Sequence, residues 1–189
     1  MAYPTVSGPY GLKPVNLVGG RVFAGATRQL PIASGYAANI FNGDVVKLVN
    51  TGNIEKDTGT ATATPVGVFV GCSYTSPALG YQLFSQYYPT GTVASDIVAY
   101  VVDDPDALFK VAVTAAGTAN IATVARTAVG NNSVLIQTAG VTTTGDSRIS
   151  VSATTATTAT QPIRIIDVVP ETATGADAFV EVIVKWNWG

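Results

Sequence analysis

The sequence predicts an all-β chain: an antiparallel β-barrel or jelly-roll-like sandwich over residues 41–189, an extended N-terminal arm over residues 1–40, and one short helix. Three observations predict it. Beyond residue 41 the chain breaks into about nine or ten short apolar runs with turn residues about every 8–15 positions, the pattern of a sandwich or barrel. The last run alternates strictly, with Val180, Val182, Val184, Trp186 and Trp188 on one face and Phe179, Glu181, Ile183, Lys185 and Asn187 on the other. That is the period-2 signature of a half-buried antiparallel strand. The first forty residues differ from both, holding four prolines and six glycines, a density that opposes regular structure.

The arm still carries Tyr3, Tyr10, Leu12, Val22, Phe23 and Leu30, apolar residues that a disordered tail would lack. It is expected to dock, either on its own domain or on a neighbour. Phe41-Asn42-Gly43-Asp44 reads as a turn into a strand over 44–50, and Asn50-Thr51-Gly52-Asn53 as the next turn. A strand over 65–74 places Val66, Val68, Val70 and Cys72 on one face, with Gly67 and Gly71 opposite as marks of close packing or a bulge. Strands over 81–88 and 96–102 follow. The turn Asp103-Asp104-Pro105-Asp106 then leads into a strand over 107–114 that aligns Phe109, Val111 and Val113. Ile121, Val124, Ala125, Ala128 and Val129 recur at helical spacing before Gly130, which predicts the short helix over 120–129. Strands resume over 133–137 and 148–152. Residues 154–160 read as a Thr/Ala linker, and 162–169 and 179–188 as the closing strands.

At 189 residues the chain is long enough for a real core without staples. Only 12% of residues are charged, against a typical ~25%, and about one residue in eight is Thr. Such a weakly charged surface suits a chain that packs into an assembly. Net charge is −2 with no basic tract, so the electrostatic footprint of a nucleic-acid binder is missing. The first residues do not read as a signal peptide, and no apolar run approaches the ~20 residues a membrane helix needs. Neither nucleic acid nor membrane is an expected partner.

Catalytic equipment is sparse. There is no histidine and one cysteine, which removes the commonest general base and the usual zinc ligands. Cys72 lies in an apolar run and reads as a small buried hydrophobe. No Gly-Lys-Ser/Thr phosphate loop occurs. Asp103, Asp104 and Asp106 could offer oxygen ligands to calcium, but Pro105 explains them as a turn. A glycosidase would need two acids across a cleft, and no such pair stands out. No cofactor, metal site or catalytic residue is expected. Tyr81, Tyr87 and Tyr88 could form an exposed aromatic patch, whereas Trp186 and Trp188 fall on a core face.

Three stretches carry a resemblance. They are Gly11-Leu12-Lys13-Pro14-Val15-Asn16-Leu17-Val18-Gly19-Gly20, the run from Ile32 through Ala37-Ala38-Asn39-Ile40-Phe41 to Asn42-Gly43-Asp44-Val45-Val46-Lys47-Leu48, and Val102-Asp103-Asp104-Pro105-Asp106-Ala107-Leu108-Phe109. Together they resemble the head decoration, or cement, proteins of tailed bacteriophages. The resemblance implies a β-barrel or jelly roll on the outer surface of the virion capsid. It implies the major capsid protein as partner, self-association as a homotrimer or a dimer, and stabilisation of the shell by clamping neighbouring subunits. The family has no catalytic residues to transfer.

On that reading the arm is the contact element, with Tyr3, Tyr10, Leu12, Arg21, Phe23 and Arg28 as its contact residues. An extended segment laid over a neighbour buries much surface, and its prolines lower the entropy lost on ordering. The guanidinium groups of Arg21 and Arg28 suit carboxylate partners. The alternative is a surface-exposed adhesion or head-fibre module that binds host glycans through Tyr87, Tyr88 and nearby polar loops.

Overall fold

The computed structural model describes residues 6–173 and 178–187. In chain order the strands are β1 (Lys13–Leu17), β2 (Arg21–Val22), β3 (Arg28–Pro31), β4 (Val45–Leu48), β5 (Ile54–Lys56), β6 (Gly67–Thr75), β7 (Gln82–Ser85), β8 (Val98–Val102), β9 (Ala107–Thr114), β10 (Asn132–Ile136), β11 (Ser150–Ala156), β12 (Ile163–Val168) and β13 (Glu181–Trp186). They form two sheets. One has seven strands in the order β11-β10-β12-β13-β9-β1-β2, and the other runs β3-β8-β6-β4-β5 with β7 also on β6. The chain is all-β and sandwich-like. The molecule as a whole is not a single closed barrel, although the seven-stranded sheet curls until β11 also meets β9 in parallel, Val151 opposite Val113.

Alternation builds the larger core. Phe109, Val111 and Val113 on β9 and Val182, Val184 and Trp186 on β13 are all buried in it. Val184 sits opposite Phe109 and Val182 opposite Val111. The Trp186 and Phe109 rings meet at 5.4 Å, tilted by 52°, an arrangement aromatic pairs favour. A second core gathers Ile32, Ile40, Val46, Phe69, Cys72, Tyr88 and Val101.

β6 serves both cores. Val68 belongs to the larger one, while Phe69, Cys72 and Tyr74 belong to the second. Strict alternation cannot place Phe69 and Cys72 on one face. A register shift between Phe69 and Gly71 against β8 does so, because a bulge adds one residue and reverses the faces beyond it. Val66, Val68, Val70 and Cys72 therefore do not share a face as the alternation predicted. Gly67 is the close approach that the sequence suggested: a Cβ there would lie 2.3 Å from the Val102 carbonyl oxygen.

Other expectations shift as well. The helix expected over 120–129 is absent. Only a 3₁₀ turn, Arg126–Ala128, forms there, and Ile121 bridges to Thr114 instead. Val124 and Ala128 still turn inward, so the helical spacing recorded two separate anchors. The segment lacks a side-chain cap, and its β-branched residues weaken helix propensity. Three of the seven residues of the expected linker over 154–160 are strand, since β11 runs to Ala156 with Thr155 opposite Ser133. Threonine suits a pleated strand.

Residues 6–40 are woven into the sheets. β1 pairs with β9, β2 with β1, and β3 with β8, and the segment sends Leu12 into the larger core and Ile32 and Ile40 into the second. Of the two docking choices open to it, the segment takes its own domain. Prolines are compatible with this because of where they stand: Pro14 borders a register shift in β1, and Pro31 ends β3 at the edge of its sheet. Bulges and edges are where a strand tolerates proline.

Candidate interaction surface

The outer edge of the seven-stranded sheet is a hairpin of β1 and β2 joined by a 3₁₀ turn, Val18–Gly20, in which Gly19 and Gly20 take positive φ. Leu17 and Phe23 pack inward against the larger core. Val15, Val18 and Val22 face outward, and Val22 is 78% exposed. β2 is the last strand of its sheet, so one side of its backbone pairs with nothing else in the sheet. Open edges are where another chain can add on.

The acidic turn stands beside this hairpin. Val18 N–H donates to the Asp106 carbonyl at 2.8 Å. The Arg21 guanidinium pairs with Asp106, and Arg28 Nε lies 2.8 Å from Asp103 Oδ2. Asp104 Oδ1 accepts from the Asp106 N–H at 2.8 Å. Each carboxylate of the turn thus has a partner within the chain. Among the described residues no group of three His, Cys, Asp or Glu gathers as metal ligands do. The Arg21 and Arg28 pairs are half exposed, and exposed pairs of this kind are worth only ~0–1 kcal/mol.

The remaining expected contact residues fall elsewhere. Tyr3 lies outside the described residues. Leu12 is fully buried in the chain's own core, which removes it from any outer contact. Tyr10 is half-buried, and its hydroxyl donates to Glu181, which also pairs with Lys110 Nζ at 3.2 Å. Burial, reinforced by the Glu181 bond and charge, pushes the Tyr10 phenol well above its usual range. The alternation of β13 turned Glu181 away from the larger core, and it is buried all the same, because Tyr10, Lys110 and Thr172 close over it.

The aromatic patch also changes. Tyr88 is fully buried, and Tyr87 stacks on Phe41 at 5.5 Å. Tyr81 is exposed as expected, and Leu79 and Phe84 join it on and around the β6–β7 hairpin, with Phe84 73% exposed. No signal in the sequence separated Phe84 from the core aromatics, since its exposure follows from β7 lying at the margin of its sheet. Trp186 is buried as its alternation predicted, and Trp188 lies outside the described residues. Cys72 is buried, and burial pushes its thiol up to about 12.

The most deeply buried carboxylate has a structural setting. Asp44 accepts from the Phe41 N–H at 3.0 Å and the Ser147 hydroxyl at 2.5 Å, and it pairs with Lys56 Nζ at 2.8 Å. This ties the turn before β4 to β5 and to the loop before β11. The most prominent arrangement facing outward is therefore apolar: three valines on an open edge, flanked by arginines already held by the acidic turn. No protein-family model, curated protein or solved structure matches this chain.

Proposed function

We propose that this chain is a structural virion protein that binds the outside of an assembled phage capsid and stabilises it by clamping neighbouring subunits of the major capsid protein. The observation that carries the reading is the exposed apolar edge, Val15, Val18 and Val22 on the β1–β2 hairpin. β1 and the turn of this hairpin lie inside the first stretch that resembles the decoration proteins, and β2 follows it directly. Exposed valines beside an unpaired strand edge supply apolar area and backbone partners to a neighbouring chain. Arg21, Arg28 and Phe23 border that edge, while Leu12 and Tyr10 hold its root in the body. Many weak copies of such a contact, repeated over a lattice and gathered as trimers, add by avidity. No catalytic turnover belongs to this reading.

The test is co-sedimentation of the purified chain with capsids built from the major capsid protein of the same phage. The native chain should saturate the capsids at hundreds of copies. The Val18→Asp/Val22→Asp variant should stay folded and lose most of its binding. Absence of binding by the native chain would sink the function. Full binding by the variant would move the contact away from this hairpin.

The adhesion alternative now rests on Leu79, Tyr81 and Phe84 and no longer on Tyr87 and Tyr88, because exposed rings are what stack on sugars. It predicts saturable glycan binding by the isolated chain that Phe84→Ala abolishes.

A further inference from the structure

The chain approaches itself closely where residues 11–13 pass residues 42–43. A Cβ on Gly11 would lie 2.6 Å from the Gly43 carbonyl oxygen, and one on Gly43 would lie 3.0 Å from the Tyr10 carbonyl oxygen. Both glycines also take positive φ, +79° and +95°, where any other residue is strained. Leu12 N–H donates to the Gly43 carbonyl at 3.0 Å. This contact brings the start of β1 alongside Asn42, and Lys13 Nζ lies 2.5 Å from Asn42 Oδ1.

Asn42 is held at each polar group. Its N–H donates to Gly145 O and its carbonyl accepts from Ser147 N–H, both at 3.0 Å. Its Nδ2 donates to Val70 O at 2.9 Å, which turns the carboxamide oxygen toward Lys13. The same backbone pairing sets Asp146 opposite Asn42. Asp146 Oδ1 lies 3.5 Å from Lys13 Nζ and accepts from Gln86 Nε2 at 3.0 Å. The site is only partly exposed: the Lys13 and Asp146 side chains keep 33% and 41% of their surface.

We propose that Lys13 and Asn42 become joined by an intramolecular isopeptide bond that the chain forms on itself, with Asp146 carrying the proton. The Lys13 amine lies within reach of both a carboxamide and a carboxylate, and these are the three groups this reaction requires. The free-base Lys13 amine attacks Asn42 Cγ and forms the new N–C bond. Asp146 takes a proton from the attacking nitrogen and hands one to the amide nitrogen. The Cγ–Nδ2 bond breaks and ammonia leaves. Lys–NH2 and Asn–CO–NH2 thus give Lys–NH–CO–Asn and NH3, with Asp146 regenerated and no oxidant or reductant consumed. Asp146 also lines a cleft of about 470 Å3 between residues 6–10 and 141–148, an exit for the ammonia.

The usual competitor is disfavoured. In an Asn-Gly pair the glycine nitrogen can attack the same carbon to give a succinimide. Here Gly43 N–H donates to Phe69 O at 2.8 Å, which holds that nitrogen away. The cross-link would close a 29-residue span and fasten the root of the exposed hairpin to the body. It stands whether or not the chain binds a capsid.

Intact mass spectrometry of the purified full chain under denaturing conditions tests this directly, and needs no variant. The expected mass is below the sequence mass by one ammonia, and proteolysis should give a branched peptide joining Lys13 to Asn42. Lys13→Arg keeps the charge but should show its full sequence mass, and Asp146→Asn should slow or stop the loss. Three results overturn the proposal. One is full sequence mass after prolonged incubation of the folded native chain. Another is ammonia loss on a linear Asn42–Gly43 peptide that persists in Lys13→Arg. The third is loss of water in place of ammonia, mapping to a lysine–carboxylate pair in contact: Lys56 and Asp44, Lys110 and Glu181, or Lys13 and Asp146.

Discussion

Leu12→Ala decides whether the first forty residues belong to the fold or ride on it. Leu12 is fully exposed in any chain whose N-terminal segment is free, and fully buried here in the core that holds Phe109 and Trp186. Truncating a buried leucine costs about 2–5 kcal/mol, the transfer loss plus the cavity left behind. Against an ordinary stability of ~5–15 kcal/mol, that is a large fraction. At about 2–4 °C per kcal/mol for a chain of this size, the melting temperature should fall by roughly 10 °C. Val22→Ala is the control: Val22 is 78% exposed, so its change should stay within ~0.5 kcal/mol. Equilibrium urea unfolding of both variants supplies the comparison, read at unchanged slope so that midpoints report stability. A Leu12→Ala cost below about 1 kcal/mol would refute the reasoning, because a core position cannot be that tolerant. It would mean that the segment detaches in solution.

Gly67→Ala should destabilise by about 1–3 kcal/mol, since the new methyl meets the Val102 carbonyl and backbone cannot yield as a side chain would; urea unfolding reads it, and a neutral result would mean that β6 and β8 are farther apart. Cys72 should resist thiol reagents in the native state, because burial holds its thiol up at about 12, and should react once the chain unfolds. Labelling rates across a urea titration would show the step, and fast native labelling would contradict its burial. Asp96 is fully exposed, yet its carboxylate is held below the usual range by the Thr75 hydroxyl and Thr75 N–H. A folded pKa below the unfolded one contributes stability above the unfolded value and loses it as pH falls through the folded one. Thr75→Val should therefore narrow the acid-side loss of stability and leave the shape of the neutral-to-alkaline side of the profile unchanged.

Period-2 alternation was legible where a strand serves one core. Phe109, Val111 and Val113 on β9 and Val182, Val184 and Trp186 on β13 could be read directly from spacing. It failed on β6, where a one-residue bulge reverses the faces and lets the same strand enter two cores. Gly71, read as a mark of close packing or a bulge, borders the shift, but the alternation does not say that Val70 is the extra residue. The strands β1 and β3 were hidden by their prolines, because a proline at an edge or bulge costs little while the same residue in a central strand argues against it. Burial of Glu181 was equally hidden, since it depends on Tyr10 and Lys110, which are remote in sequence. The expected role of Leu12 as an outer contact failed for a related reason: an apolar residue among prolines looks like a docking residue until its partner strand is known. The surface that remains, Val15, Val18 and Val22, lay within the segment singled out, but only the pairing of β1 with β9 says which side faces outward.

Where the charges go narrows what any partner can exploit. Asp103 and Asp106 are held by Arg28 and Arg21, Asp146 lies against Lys13, Asp167 against Arg126, and Glu181 against Lys110. Asp44 is buried against Lys56, and Asp57 is buried with its carboxylate on the Gly59 and Thr64 N–H groups. Much of a small charge complement is thus committed inside the chain, while the open edge offers valines and backbone. A contact built from apolar area and edge hydrogen bonds feels salt weakly, whereas one built from exposed ion pairs fades as the screening length shortens from ~10 Å at 0.1 M to ~3 Å at 1 M. The capsid contact proposed above should accordingly change little in affinity across that salt range. A steep loss would place the contact on Arg21 and Arg28 after all, with each arginine leaving its carboxylate in the acidic turn for one on the capsid.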